Sequence, residues 1–422
     1  MEKHKSIIEQ MTHEEKASLG SGSDFWHTQP NPRLGIDSIM MTDGPHGLRK
    51  QKGQGDHIGI NQNHPSTCFP TAATLANSWD RELMKSMGEA LAKECHNANV
   101  SVLLGPGINI KRSPLCGRNF EYFSEDPFLT GELASSFVFS IERNGIGTSL
   151  KHFAVNNQEY NRMVSNSIVD QRALREIYLS SFEKVVKQAK PSTVMAAYNK
   201  VNNVYCCENE FLLTDILRNE WGFQGAVISD WGATNDRIQS HIAGMDLEMP
   251  GKNTFNDKKV ADALDQGQLN PRIMDDSISR VLSLIENHPT NGEPFSEEEH
   301  HQLARYIASQ SFVLLKNDHL LPLTSTERML IVGDMAKNPR YQGSGSSLIT
   351  PNQLPSLLDA LDAEKISYTY APGVNNKNQR DETLLNQAVS LAKSAEVVII
   401  MAGLPETYES EGFDREHLHM PE

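Results

Sequence analysis

The sequence predicts an α/β protein in which a (β/α)8 TIM-like barrel precedes a partial α/β sandwich domain. Three observations carry the prediction. Between residue 1 and about 287, short apolar runs alternate with longer helical stretches, the rhythm of βα units around a parallel sheet. Each run ends on polar residues, and a barrel of this kind collects its site at the C-terminal ends of its strands. The segment's length also suits the roughly 250 residues typical of such barrels. The stretch Glu286–Glu297, ENHPTNGEPFSE, is rich in Pro, Asn, Gly and acid and reads as a linker. The expected division is therefore a barrel over 1–287, a linker over 288–297 and a sandwich domain over 298–422.

In chain order, the expected strands are Ser38–Thr42, Val100–Leu104, Gly147–Leu150, Thr193–Ala197, Ala226–Ser229 and Ala243–Leu247. They end respectively on Asp43, Gly105-Pro106, Lys151-His152, Tyr198-Asn199, Asp230 and Glu248. Six of eight staves are thus placed, and closure requires the other two. Beyond the linker, a helix over His301–Gln310 leads through SFVLLKNDHLLPL into the strand MLIVGD at 329–334. A helix near Leu384–Ala395 and the strand VVIIMAG at 397–403 follow. A sheet of so few strands, ending at HLHMPE, is expected to leave an open edge and apolar surface that needs covering.

Composition bounds the function. The 422 residues carry 54 carboxylates against 39 Lys and Arg, a net charge of −15, with no basic patch interleaved with aromatics. Nucleic-acid binding is therefore not expected. No stretch approaches the roughly 20 apolar residues of a membrane span, and the N-terminus MEKHKSIIEQM lacks a signal-like apolar core, so a cytoplasmic protein without membrane contact is expected. The five cysteines, Cys206 and Cys207 adjacent among them, form neither a CxxC pair nor a disulfide framework. His300-His301 lacks metal-ligand spacing and reads as a solvated helix start. The run GSGSS at 343–347 lacks the Lys and spacing of a phosphate loop and is expected to form a tight loop reaching into the cleft. No metal and no cofactor are expected.

The segment GAVISDWG at 225–232 concentrates the chemistry. A carboxylate, Asp230, stands at the mouth of a buried strand, and the indole of Trp231 follows it. Taken alone, a strand-end Asp is more often a turn former or a helix cap. Glycoside hydrolysis with retention needs a second carboxyl about 5–5.5 Å from the nucleophile. Around Asp230 stand TDGPHGLR at 42–49, GPGINIKRSPLCGRNFEYFSEDP at 105–127, KHFAVNNQEYNR at 151–162, VISDWGA at 227–233, GMDLEMPG at 244–251 and ESEGFDR at 409–415. Together, over essentially the whole chain, these resemble glycoside hydrolase family 3, its β-glucosidase branch in particular.

The resemblance implies a barrel combined with an α/β sandwich, and many family members continue into further sequence and a fibronectin-like domain, so this chain is expected to stop inside the sandwich. It implies Asp230 as nucleophile and Glu411 as acid/base, with Glu409 and Asp414 as rivals within the same segment. Cations from neighbouring strand ends, Lys151, His152, Arg118 and Arg162, are expected to keep Asp230 ionised. The family's pocket for the nonreducing sugar maps onto Asp43, Arg49, Arg118, Lys151, His152, Arg162, Met195 and Tyr198, with Trp231 shaping a wall. The acid/base then lies 181 residues beyond the nucleophile, so the site is expected at the cleft between the domains.

The expected activity is a retaining β-glucosidase acting on terminal nonreducing β-D-glucosyl residues of small glucosides or oligosaccharides. A β-xylosidase or mixed-specificity exo-glycosidase stands as the alternative. The segment at 151–162 lacks the Pro-Gly-His of the family's N-acetylglucosaminidases. A lyase or aldolase using Lys151 as a Schiff-base amine is a different enzyme class. The third reading is a glycan-binding or assembly subunit, with homo-oligomer contacts or a complementary chain completing the sandwich.

Overall fold

A computed structural model describes residues 2–53, 55, 61–251, 254–323, 328–375 and 380–420. Five parallel strands form the main sheet: β1 (Met41–Asp43), β2 (Val102–Leu104), β3 (Gly147–Phe153), β4 (Thr193–Ala196) and β5 (Ala226–Ser229), paired in that order. Every residue in them is buried. Sheets covered by helices on the outside and packed within the barrel produce such continuously buried strands, without alternation.

The covering helices show why. In Arg81–Asn97 the buried Met84, Met87, Leu91 and Cys95 recur every three or four residues, and in Pro127–Arg143 Leu129, Leu133, Phe137 and Ile141 recur every four. Each presents one apolar stripe to the sheet. Asp80 and Asp126 cap their N-termini by accepting the backbone N–H groups of Glu82 and Phe128. Truncating a residue such as Phe137 to Ala is expected to cost about 3–5 kcal/mol through lost contacts and an unfilled hole.

The sixth expected strand is realised only as a single parallel bridge, Leu247 to Ile228. Its first residue, Ala243, instead ends the helix Arg237–Ala243, which stops at Gly244 in the left-handed region (φ +110°). From there the ring closes by individual hydrogen bonds: Ser229 N–H to Leu247 O (3.0 Å), Gly22 N–H to Glu248 O (3.1 Å) and Met41 N–H to Trp26 O (2.9 Å). The barrel is thus continuous across residues 20–28 without regular strands there, which explains why no apolar run signalled the missing staves.

The second sheet holds three parallel strands, β6 (Met329–Val332), β7 (Thr369–Ala371) and β8 (Val397–Ile400), with β6 central. Period-two alternation splits its core. Leu330 packs with Ala371 and Ala388 on one face, while Ile331 packs with Ala336 and Leu358 on the other. The helix Glu297–Gln310 precedes this sheet in sequence, yet its Ala304 and Ile307 belong to the barrel's core. His300 on that helix is a correction to the sequence reading: it is buried rather than solvated, because its Nδ1 lies 2.7 Å from the buried Glu94 carboxylate and Phe295 stacks on its ring. The apolar surface expected to need covering is present: Phe312 is 80% and Leu315 92% exposed, with Val313, Leu314, Val398 and Ile400 exposed beside them in sequence or on β8.

Short contacts tie the two parts together. Thr350–Pro351 pairs in parallel with Pro65–Ser66, Gln342 donates to His46 O (2.9 Å), and Arg415 N–H donates to Leu115 O (2.8 Å).

Candidate active site

Where the polar ends of β1, β3, β4 and β5 converge, a cavity of about 260 Å³ opens. Its lining contains Asp43, Arg49, Arg118, Lys151, His152, Arg162, Met195, Tyr198, Asp230, Trp231 and Glu411, all the residues assigned in the sequence to the catalytic pair and the sugar pocket. The volume falls just under the roughly 300–1,000 Å³ of ordinary small-molecule clefts, a size for one small polar ring rather than an extended chain.

Asp230 follows β5 directly and is buried. One oxygen, Oδ1, accepts the N–H of Trp231 at 2.8 Å. The other, Oδ2, has no hydrogen-bond partner among the described residues, where the nearest ion-pairing nitrogen, His152 Nε2, is 3.8 Å away. An unsatisfied buried carboxylate oxygen is costly, about 1–3 kcal/mol or more, and calls for a reason. The electrostatics differ from the expectation that cations dominate here. Burial pushes Asp230 above the ordinary carboxylate range, and Arg118, Arg162 and Lys151 offset this only in part.

Glu411 reaches the cavity from the far end of the second part of the chain. Its Oε1 accepts from Arg162 Nη1 at 2.9 Å and lies 3.8 Å from Arg118 Nη1, while Oε2 accepts the backbone N–H of Ser346 at 2.6 Å. Burial works to raise Glu411, but Arg118, Arg162 and the Ser346 bonds prevail and hold it well below the usual carboxylate range. Its rivals are engaged elsewhere. Glu409 pairs with Arg340 (3.3 Å), and Asp414 is saturated by the N–H groups of Gly117, Glu159 and Tyr160 at 2.8–2.9 Å.

Two glycines make the approach possible. A Cβ on Gly117 would fall 1.8 Å from Phe413 O and 2.3 Å from Ser410 O, so that loop can lie on the barrel only over a bare backbone. At Gly345, with φ +92°, a Cβ would meet the Glu411 side chain at 2.4 Å. Gly345 and Ser346 of the GSGSS run line the cavity, as that run was expected to do.

The remaining residues form a ring of fixed donors and acceptors. Asp43 accepts from Arg49 Nη1 at 3.1 Å and lies 3.7 Å from Lys151 Nζ. Burial still pushes its carboxyl upward against both cations. His152 is held by Tyr122 Oη at 3.1 Å from its Nδ1 and by Asn109, which accepts its backbone N–H at 2.9 Å. Burial, with Arg118, Lys151 and Arg162 nearby, keeps the imidazole neutral. Arg118 is buried against Glu121, leaving Nη1 unpartnered near Glu411. The Arg162 guanidinium stands 4.7 Å from the centre of the Tyr198 ring, and Tyr198 Oη donates to Trp231 O at 3.1 Å. Trp231 donates its indole N–H to Phe25 O at 2.7 Å.

Sequence reasoning missed Phe25 and Trp26, which complete the aromatic wall, with the Trp26 and Trp231 rings 5.6 Å apart. They sit in the irregular 20–28 segment that closes the barrel, where no strand pattern marks them; the adjacent aromatics of DFWH were the available signal. Glu159, behind Arg162, was also missed. Glu248, although at a strand end, faces Arg237 and Asn256 and lies outside the cavity lining. Cys116 is buried and its thiol is pushed up to about 12, so its place in a motif reflects packing rather than reactivity.

Chemically, the cavity offers one carboxylate oxygen with no partner, a second carboxyl held by two arginines, and fixed hydroxyl-binding groups around both. Two family models match the chain: the glycosyl hydrolase family 3 N-terminal domain over residues 30–284 and the family 3 C-terminal domain over 312–422. The chain is 53% identical over 427 residues to a thermostable β-glucosidase B of Acetivibrio thermocellus, covering 99% of this chain and 56% of that protein. It is 45% identical over 430 residues to an exo-α-(1→6)-L-arabinopyranosidase of Bifidobacterium longum, covering 98% and 56%. Among solved structures it superposes on a Bifidobacterium adolescentis GH3 β-glucosidase with a TM-score of 0.92 at 45% identity, over 98% of this chain and 60% of that one. The chain thus spans little more than half the length of the curated relatives it matches.

Proposed function

The chain belongs to glycosyl hydrolase family 3, and on that premise we propose that it is a retaining β-glucosidase, releasing terminal nonreducing β-D-glucosyl residues through a covalent intermediate on Asp230. The observation that carries this reading is the unpartnered, buried Asp230 Oδ2 inside a ring of sugar-binding groups. In the first step Asp230 attacks the anomeric carbon while Glu411 protonates the leaving oxygen; in the second Glu411 deprotonates water, which displaces the enzyme carboxylate with net retention. Asp43, Lys151, His152 and Arg118 bind the sugar hydroxyls, Arg49 holds Asp43, Met195 and Trp231 bound the ring, and Tyr198 with Arg162 braces the nucleophile's side.

The ionisation that the protein's own groups give the pair, Asp230 raised and Glu411 lowered, is the reverse of what the first step needs. We propose that substrate resets it. Sugar hydroxyls donating to Asp230 favour its charged form, and sugar groups drawing on Arg118 and Arg162 loosen their hold on Glu411. Each carboxylate raises the other's proton affinity, so esterification of Asp230 in the intermediate makes Glu411 the stronger acid, ready to act as a base.

The test uses wild type, Asp230→Asn and Glu411→Gln on aryl β-glucosides. Asp230→Asn is expected to lose activity on the order of 10⁴-fold. Glu411→Gln is expected to keep its glycosylation burst with an activated phenol, slow in the second step, and recover turnover with azide. Near-normal turnover by Asp230→Asn overthrows the assignment, and rescue of Glu409→Gln in place of Glu411→Gln moves the acid/base. A pentosidase is the second reading, supported by the Bifidobacterium longum relative's activity on an L-arabinopyranoside; comparing kcat/KM for aryl β-glucoside, β-xyloside and α-L-arabinopyranoside decides.

The domain division 1–287, 288–297 and 298–422 is proposed on the separate core of the second sheet from residue 329 onward, although the helix Glu297–Gln310 packs its Ala304 and Ile307 into the barrel core. A cytoplasmic location is proposed on the free, largely buried cysteines, and no helix among the described residues is long and apolar enough to cross a membrane. We also propose that another copy, or a complementary polypeptide, covers the exposed Phe312–Leu315 run.

A further inference from the structure

Glu159 is almost wholly buried, at 1% exposure, in the segment that supplies Arg162. Its Oε2 accepts from Arg162 Nη1 at 2.9 Å and from the backbone N–H of Gly412 at 2.9 Å. Its own backbone N–H donates to Asp414 at 2.9 Å. Residues 412 and 414 are therefore bound to residue 159 in both senses, side chain to backbone and backbone to side chain. Arg162 Nη1 is shared, lying 2.9 Å from Glu159 and 2.9 Å from Glu411.

We propose that Glu159 is a positioning residue: it latches the 410–414 loop to the barrel and, through the shared guanidinium of Arg162, sets how firmly Glu411 is held as a carboxylate. This rests on the acid/base role proposed for Glu411. A guanidinium divided between two carboxylates stabilises each less than it would stabilise one alone. The charged and titratable groups facing Glu159 are Arg162 on its own segment, Cys116, Arg118 and Tyr122 on the neighbouring one, and Glu411 and Asp414 on the loop. Burial, opposed by Arg118 and Arg162, pushes Glu159 up to about 7, so it gains charge across the neutral range. As it does so it competes for Arg162 and repels Glu411, so that in the substrate complex, where the arginines' hold on Glu411 is loosened, Glu411 keeps its proton to higher pH.

Glu159→Gln removes that charge while its amide oxygen still accepts from Gly412. The alkaline limb of kcat for an alkyl β-glucoside, which reports the substrate complex and needs full acid assistance, is expected to move down by about one pH unit, with a smaller change for a dinitrophenyl β-glucoside. Hydrogen exchange over 410–414 is expected to accelerate about tenfold or more in Glu159→Ala, with the barrel strands unchanged. An unmoved limb in Glu159→Gln overturns the proposal, as does unchanged exchange in Glu159→Ala; if the alanine variant does not fold, the glutamine profile decides alone. Should the wild type hydrolyse no glycoside, the functional reading falls, and loop exchange alone judges the latch.

Discussion

At Asp230 the burial that shapes the pocket opposes the charge that a nucleophile must carry. Its folded proton affinity is raised above the unfolded value, so the cost is absent below the ordinary Asp range near 3.8 and grows as pH rises through the higher folded value. Asp230→Asn should therefore be inactive yet melt at a higher temperature than wild type at neutral pH, with the difference shrinking toward pH 4; thermal scans from pH 4 to 8 check it. A variant less stable at every pH would contradict the sign. The position of Asp230 at the cavity was legible because a carboxylate after a buried apolar run falls at a strand end of the barrel. Its ionisation was not legible, because the balance of burial against three cations depends on distances that sequence does not contain. Phe25, Trp26 and Glu159 were hidden for a related reason: they act from irregular segments, where neither helical nor strand periodicity assigns a face.

Among the elements, the loop 410–414 has the most to lose. It brings Glu411 across from the second part of the chain on a turn closed only by the Ser410–Phe413 bridge, so its position depends on Asp414, Glu159 and bare backbone at Gly117. Gly117→Ala forces the loop off its seat by contact with two carbonyl oxygens, Phe413 O and Ser410 O. The expected result is a loss of about 10²-fold in kcat/KM for substrates with poor leaving groups, with the barrel's melting temperature little changed. Equal losses for good and poor leaving groups would mean that the loop does more than present Glu411. The regular strands were readable from their apolar runs. The stave near Leu247 was misplaced by a few residues because Ala243 suits a helix end as well as a strand, and Gly244 decides between them by its positive φ.

For the whole molecule, one cavity is assembled from barrel strand ends and a loop that follows the second sheet, so activity should track the contact between them. The exposed Phe312–Leu315 run works against solubility of the isolated chain. Gel filtration with light scattering is expected to show concentration-dependent association, reduced when Phe312 and Leu315 are replaced by Ser; a monomer at all concentrations would count against the proposed covering partner. The central claim, that Asp230 is the nucleophile of a retaining glucosidase, is tested most directly by trapping. A 2-deoxy-2-fluoro-β-glucoside with a dinitrophenol leaving group should inactivate the chain, and mass spectrometry of the digest should find the fluoroglucosyl ester on Asp230. An ester on another residue, or sustained turnover without any trapped ester, would contradict it.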